Sequence, residues 1–364
     1  MTKVREQLIG LVSAAVKGGE GDIGAVDGID WKALLAEASR QGVKGLVWSF
    51  VQSHPTCASS LSFEDKMEWY GNVRMTEAKI AKMWDEANEF ATTLNEHCPD
   101  LRCVVLKGID YAHYWPNPLH REFGDLDSWF GDDFERSNET AESIGARVEY
   151  HGDDKHTHTR FNGLMVENHR DFTDRLSRMD LLAEDTLREF MALRPARPMA
   201  DNLALFSPNE NFSALYLVLH AQGHFDEGIR LRHVLDWLFF VRAKQAEIDW
   251  ARVVPAMKAL GIYNFACCMT EICITLGADF KEIRNKHFGD FSGPCKELSR
   301  RMRDDIMGEQ PYVYDMRMWK KALRILRRSR RLWTFRSLLS ESYFHHMWTA
   351  LAYNSVTGLK PKFG

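Results

Sequence analysis

Asp125 and Asp127 stand two residues apart in the stretch GDLDSWF, residues 124–130, whose apolar members predict a strand. Alternate residues of a strand project from one face, roughly 6.5–7 Å apart at Cα. Two carboxylates so placed converge on metal ions held about 3.5–4 Å apart, the arrangement of two-metal phosphoryl chemistry. Carboxylate oxygens suit Mg²⁺, which takes one or two of them together with the substrate's own phosphates. Ahead of this pair, the apolar run at 103–106 predicts a buried strand, and Lys107-Gly108 breaks it into a turn. Residues 109–115 predict one short helix, stopped by Pro116 and Pro118. A strand–turn–helix offers a triphosphate a glycine that lets backbone approach and free N–H groups at a helix start.

Further elements must position these groups. Residues 31–51 carry apolar residues at helical spacing with a Gly-Val break in the middle. Ser62 and Asp65 predict a capped start to a long helix that runs to about residue 96. After the aspartates, Asp132 with Glu135 predicts the start of a helix that Gly145 ends, and 147–150 predicts a third strand. The stretch HTHTRF-NG-LMVENH sets Asn162-Gly163 between two six-residue runs, a type I′ hairpin signal. A two-residue loop fixes the register, pairing Phe161 with Leu164 and His158 with Glu167. One face then carries His156, His158, Arg160, Met165, Glu167 and His169, and the other is suited to a core. Helical segments follow from about residue 208, at 209–224, 229–246, 249–260 and 263–276. The expected fold is α+β: a small mixed sheet within 66–185, between a helical N-terminal segment (1–65) and a large helical C-terminal lobe (186–364).

The glycine-containing turn followed by Asp-x-Asp on the next strand resembles the polymerase-beta-type nucleotidyltransferases. More narrowly, Leu106-Lys107-Gly108, Tyr114, Pro116, Pro118, Arg121 and Gly124-Asp125-Leu126-Asp127 resemble an uncharacterised bacterial nucleotidyltransferase family with an LKG…R-x-x-GDxD signature. Leu235-Asp236-Trp237 and Ile248-Asp249-Trp250 extend that resemblance through much of 30–260. The resemblance implies Mg²⁺-dependent transfer of a nucleotidyl group from an NTP to an acceptor, with two ions held by Asp125 and Asp127. It also implies a third acid on a neighbouring strand, for which Glu167 is the candidate and Glu149 the reserve. Three adjoining carboxylates repel one another and raise each other's pKa unless a cation is present. Gly108 and Lys107 would hold the phosphates. Arg121 would either neutralise the leaving pyrophosphate or brace the strand as an ion pair. Lys-Gly stands where Gly-Gly or Gly-Ser is commoner in the superfamily, and 16 residues separate Gly108 from Asp125. Asp110 adjoins the expected phosphate position, where an anion opposes a triphosphate; its alternative role is to cap the helix. These departures point to the alternative reading, a non-catalytic nucleotide-binding or scaffold protein that keeps the fold.

The 364 residues are 45% hydrophobic with mean hydropathy −0.36 and a net charge of −4, which argues against wholesale nucleic-acid binding. Seven cysteines without a C-x-x-C pair are the usage of a reducing compartment, and no apolar run approaches membrane-spanning length. A cytoplasmic protein is the expectation. His220 and His224 share a helix face at i, i+4; packing at a lobe interface, or facing nucleotide or acceptor across a cleft, is expected there over a zinc site. From Arg317 to Arg336 there are nine basic residues and no acidic one. This stretch predicts an amphipathic surface helix, with RNA, an anionic lipid surface or an acidic protein as the alternative anionic partners.

Overall fold

The computed structural model describes residues 1–18, 28–150, 155–175, 177–199, 202–225, 228–289, 293–308 and 329–339. Seven strands form one mixed sheet: β1 (Cys103–Val105), β2 (Leu126–Trp129), β3 (Arg147–Tyr150), β4 (His156–Phe161), β5 (Leu164–His169), β6 (Arg197–Met199) and β7 (Asn202–Ser207). Their order is β3-β4-β5-β2-β1-β7-β6. β2 runs parallel to β5 and antiparallel to β1, which in turn runs parallel to β7. The β4–β5 hairpin has the register expected of it, Phe161 opposite Leu164 and His158 opposite Glu167. Asn162 and Gly163 take φ +48° and +101°, the positive values a type I′ turn requires. β6 and β7 lie beyond the expected core of residues 66–185, and no strand is expected there. β6 is a three-residue edge strand containing Pro198, which cannot donate to a ladder.

The helix α5 (Phe63–His97) backs the sheet, and the Ser62 hydroxyl accepts the Asp65 N–H at 3.0 Å to start it. Its C-terminal half sets Ile80, Ala87, Phe90 and Leu94 against Val105, Leu126, Phe161 and Val166. The short helix α6 (Ile109–Ala112) ends earlier than expected. Tyr114 and Trp115 then donate to the carbonyls three residues back, and Pro116 disfavours the helical region for the residue before it. α7 (Phe134–Ser143) begins after a 3₁₀ turn at Gly131–Asp133 with no side-chain cap, so the expected Asp132–Glu135 start does not form. Glu135 instead pairs with Arg170.

The opposite face carries Val104, Leu106 and Trp129 and meets Phe172, with Phe212 and Tyr216 of α9 (Glu210–Gly223). The N-terminal helices α1 (Lys3–Val16), α2 (Trp31–Gln41) and α3 (Lys44–Ser53) share this core with α10 (Leu231–Lys244) and α12 (Tyr263–Thr275). Each large side chain fully withdrawn from water there, such as Trp237 or Phe265, contributes about 1.5–3 kcal/mol. Buried Gln41 ties the layers: its amide donates to the Ile306 carbonyl at 3.0 Å, and its oxygen accepts the Leu231 N–H at 2.7 Å. Among the described residues, the helical lobe covers this face over β1 and β2; at the β4 end His156 and His158 are half-buried and Arg160 is exposed.

Of the expected basic stretch, residues 317–328 lie outside the described residues. In the described remainder, Leu332, Phe335 and Leu338 are buried and Arg331 pairs with Asp305. No helix among the described residues is long and apolar enough to cross a membrane. Cys57, Cys103 and Cys273 are buried free thiols.

Candidate active site

The site grows from strand register. Asp127 of β2 is the Cα partner of Glu167 on parallel β5, Glu167 partners His158 on β4, and His158 partners Glu149 on β3. These four residues form one row across the sheet, stepping about 4.8 Å per strand. Glu167 therefore adjoins Asp127, and Glu149 stands three strands away. Glu149 instead meets Arg147 at 3.2 Å. Asp125 sits one residue before β2 and is half-buried.

Lys107, from the turn after β1, reaches across to place Nζ 2.9 Å from Oδ1 of Asp127. His169 Nε2 approaches the same oxygen at 3.1 Å. Burial presses the Asp127 carboxyl upward, yet the Lys107 charge and the His169 hydrogen bond hold it well below the usual carboxylate range. Asp125 lacks that support. Burial first, then the Asp127 charge, push it up to about 6. Burial favours neutral Lys107, but Asp127 and Asp125 outweigh it and keep the ammonium charged. Four charged groups thus share one partly desolvated space, with carboxylates in excess over the lysine.

Gly108 makes the turn possible. Its φ of +68° belongs to the region that glycine alone enters freely, while an added Cβ would meet its neighbours no closer than 3.6 Å. Conformation rather than space demands glycine here. The Asp110 side chain points inward and is buried, with a hydrogen bond to Ser207. Burial pushes its carboxyl up to about 7.

Arg121 is buried and donates to both oxygens of Asp236 on α10, from Nε at 3.2 Å and Nη2 at 2.9 Å. The Trp115 indole adds a third hydrogen bond to that carboxylate at 2.9 Å. Of the two roles expected of Arg121, this geometry favours the brace, which fixes the chain entering β2 against the helical lobe. Asp236 belonged to the resemblance without an assigned task. Its partners come from residues more than 110 positions away, so no sequence signal links them.

His169 and Tyr216 are additions that the site residues read from sequence did not include. His169 was legible: it sits two after Glu167, on the same face by strand alternation. Tyr216 is pushed well above its ordinary value by burial and then by the charges of Asp127, Glu167 and Asp125. His220 stacks on Tyr216 with ring centroids 5.9 Å apart, and burial and Lys107 hold it neutral. Together they wall the acidic cluster from the α9 side. Among the described residues, neither His220 nor His224 joins a metal-ligating group of three.

One observation tests the fit to a cation. Oδ1 of Asp127 is engaged twice, whereas its Oδ2 is buried without a hydrogen-bond partner. A buried acceptor left unsatisfied costs about 1–3 kcal/mol, more when charged. Glu167 and His169 bring ligand atoms within 4.8 Å of Asp127, whereas Asp125 joins no such group of three among the described residues; with its carboxylate added, the cluster would be the oxygen-rich set that fits a hard divalent ion. A cleft of about 470 Å³ lined by Arg102, Trp129, Asp132 and Arg188 contains none of these acids.

No curated protein and no solved structure matches the chain. A family model described as "Uncharacterised nucleotidyltransferase" matches residues 27–276, more than half of the 364 residues and all seven strands. The match takes in Lys107, Gly108, Arg121, the Asp125–Asp127 pair and Glu167, so the chain belongs to the uncharacterised nucleotidyltransferase family.

Proposed function

We propose that the protein transfers a nucleotidyl group from an NTP to an acceptor hydroxyl with the help of Mg²⁺. The observation that carries this reading is the side-by-side placement of Asp127 and Glu167 on adjacent parallel strands, with Asp125 and the Lys107-Gly108 turn beside them. Asp125, Asp127 and Glu167 would hold the metal, two ions by the chemistry of this reaction class. Bound there, Mg²⁺ supplies charge stabilisation to the attacking and leaving oxygens. A bond forms between the acceptor oxygen and the α-phosphorus, the bond to the β-phosphate oxygen breaks, and pyrophosphate leaves. Glu167, less buried than Asp127, would take the acceptor proton. Lys107 orients the triphosphate as a point charge, and the Gly108 backbone lets it approach closely. Arg121 positions the acidic strand through Asp236. The acceptor class is a protein hydroxyl, a small molecule, a sugar phosphate or an RNA end.

The test is Mg²⁺-dependent pyrophosphate release from ATP, CTP, GTP or UTP in the presence of acceptor pools. Asp125→Asn with Asp127→Asn is expected to abolish it. A second reading has its own observation: Lys107 already occupies Asp127 Oδ1, which is how a chain would hold its carboxylates without metal. Nucleotide binding with no turnover against any pool would establish that scaffold role instead.

A further inference from the structure

The β4 end of the same sheet face carries two histidines that nucleotidyl transfer does not use, beside Glu167, which it does. His156 and His158 project from one face of β4, and register sets them opposite His169 and Glu167. The two imidazoles meet Nε2 to Nε2 at 3.1 Å, and His158 Nε2 lies 3.4 Å from Oε1 of Glu167. The other oxygen, Oε2, faces His169 Nε2 at 3.8 Å. One ligand atom from each of His156, His158 and Glu167 lies within 4.8 Å of the other two.

These separations have the size of coordination edges. Ligands about 2.0–2.2 Å from a zinc-sized ion at tetrahedral angles stand roughly 3.3–3.6 Å apart. Donor chemistry separates this cluster from its neighbour. Two imidazole nitrogens with one carboxylate oxygen suit divalent transition ions, whereas the oxygen set at Asp125 and Asp127 suits Mg²⁺. Glu167 faces both ways, Oε1 toward His158 and Oε2 toward His169, which in turn contacts Asp127.

We propose that His156, His158 and Glu167 bind a divalent transition-metal ion of the zinc, cobalt or manganese class, at a position distinct from the Asp125–Asp127 cation. The binding needs no nucleotide, so it stands whether or not the transfer reading does. A bare hydrogen bond between the two rings, with Glu167 as a cross-strand partner, is the arrangement it replaces.

The experiment uses the full chain stripped with chelator and titrated with Co²⁺ under excess Mg²⁺, read by visible absorption. One equivalent is expected to bind with a nitrogen-ligated spectrum that Mg²⁺ does not displace. Even the outer partners of metal ligands change affinity 10–100-fold, so H156N with H158N is expected to weaken Co²⁺ at least about 100-fold. Asp125→Asn should leave it within about twofold. Thermal melts of each variant without metal exclude misfolding as the cause. In crystals of the unsubstituted protein soaked with Zn²⁺, anomalous scattering should place the ion between the two rings. No Co²⁺ binding under Mg²⁺, equal affinity in the double-histidine variant, or an anomalous peak away from these histidines would overturn the assignment. No pyrophosphate release from the unsubstituted protein, with Co²⁺ binding intact, would count against the transfer reading alone.

Discussion

Half-buried Lys107 and buried Asp127 form an ion pair at 2.9 Å that joins the turn after β1 to β2. His169 approaches the same carboxylate oxygen at 3.1 Å, so the resting cluster is organised around one oxygen and leaves the other open. The lysine is thereby both the strand's electrostatic anchor and the group nearest the expected phosphate position.

Replacing Lys107 with Met should leave a buried carboxylate without its counter-charge. Breaking a buried pair from one side costs about 3–5 kcal/mol. Chemical denaturation should show a loss of that order, and millimolar Mg²⁺ or Mn²⁺ should recover part of it, since a ligand that binds only the folded chain stabilises it. If metal recovers nothing, the open Asp127 oxygen is no cation ligand.

Arg121 and Asp236 distinguish a brace from a phosphate ligand. Arg121→Met alone should destabilise the protein by about 3–5 kcal/mol, because Asp236 stays buried and charged. Arg121→Met with Asp236→Leu should recover most of that stability, since apolar replacement of a whole buried pair is often neutral. If the double variant also regains pyrophosphate release, Arg121 acts only by holding the strand. If it folds and stays inactive, the guanidinium touches the nucleotide.

Gly108 sits at φ +68° with ψ −106°, outside the regions open to L-residues. Gly108→Ala should cost about 1–3 kcal/mol, read as a lower melting temperature. The space around the added methyl is adequate, so the loss is conformational. Nucleotide affinity should fall further than stability if backbone approach at this turn matters for binding.

The Asp110 carboxyl gives a pH signature. Its folded value, near 7, lies above the unfolded value of 3.8. Its contribution to stability is therefore fully present below pH 3.8 and is lost as pH rises toward 7, because only the unfolded chain ionises freely in that window. Three units correspond to at most about 4 kcal/mol. Asp110→Asn should remove this downward slope between pH 4 and 7. An unchanged stability-versus-pH curve would mean that Ser207 and the nearby cations hold the carboxylate ionised.

The sequence by itself determined the local pieces. Period-two alternation and an Asn-Gly turn fixed the β4–β5 register to the residue, and with it which face Glu167 and His169 share. Helical periodicity with Ser62 as a cap gave α5 nearly to its ends. These signals are carried by neighbours along the chain, where side-chain direction follows from backbone geometry alone. Tertiary structure decided which strands lie side by side. Glu167 rather than Glu149 stands next to Asp127 because β5, not β3, pairs with β2. Arg121 points to Asp236, 115 positions on, because α10 packs against α6 and Trp115, just ahead of β2. β6 leaves little pattern because it is three residues long and contains Pro198. Parallel pairing is set by crossovers and by what the helices cover, and neither is written in any short window of residues.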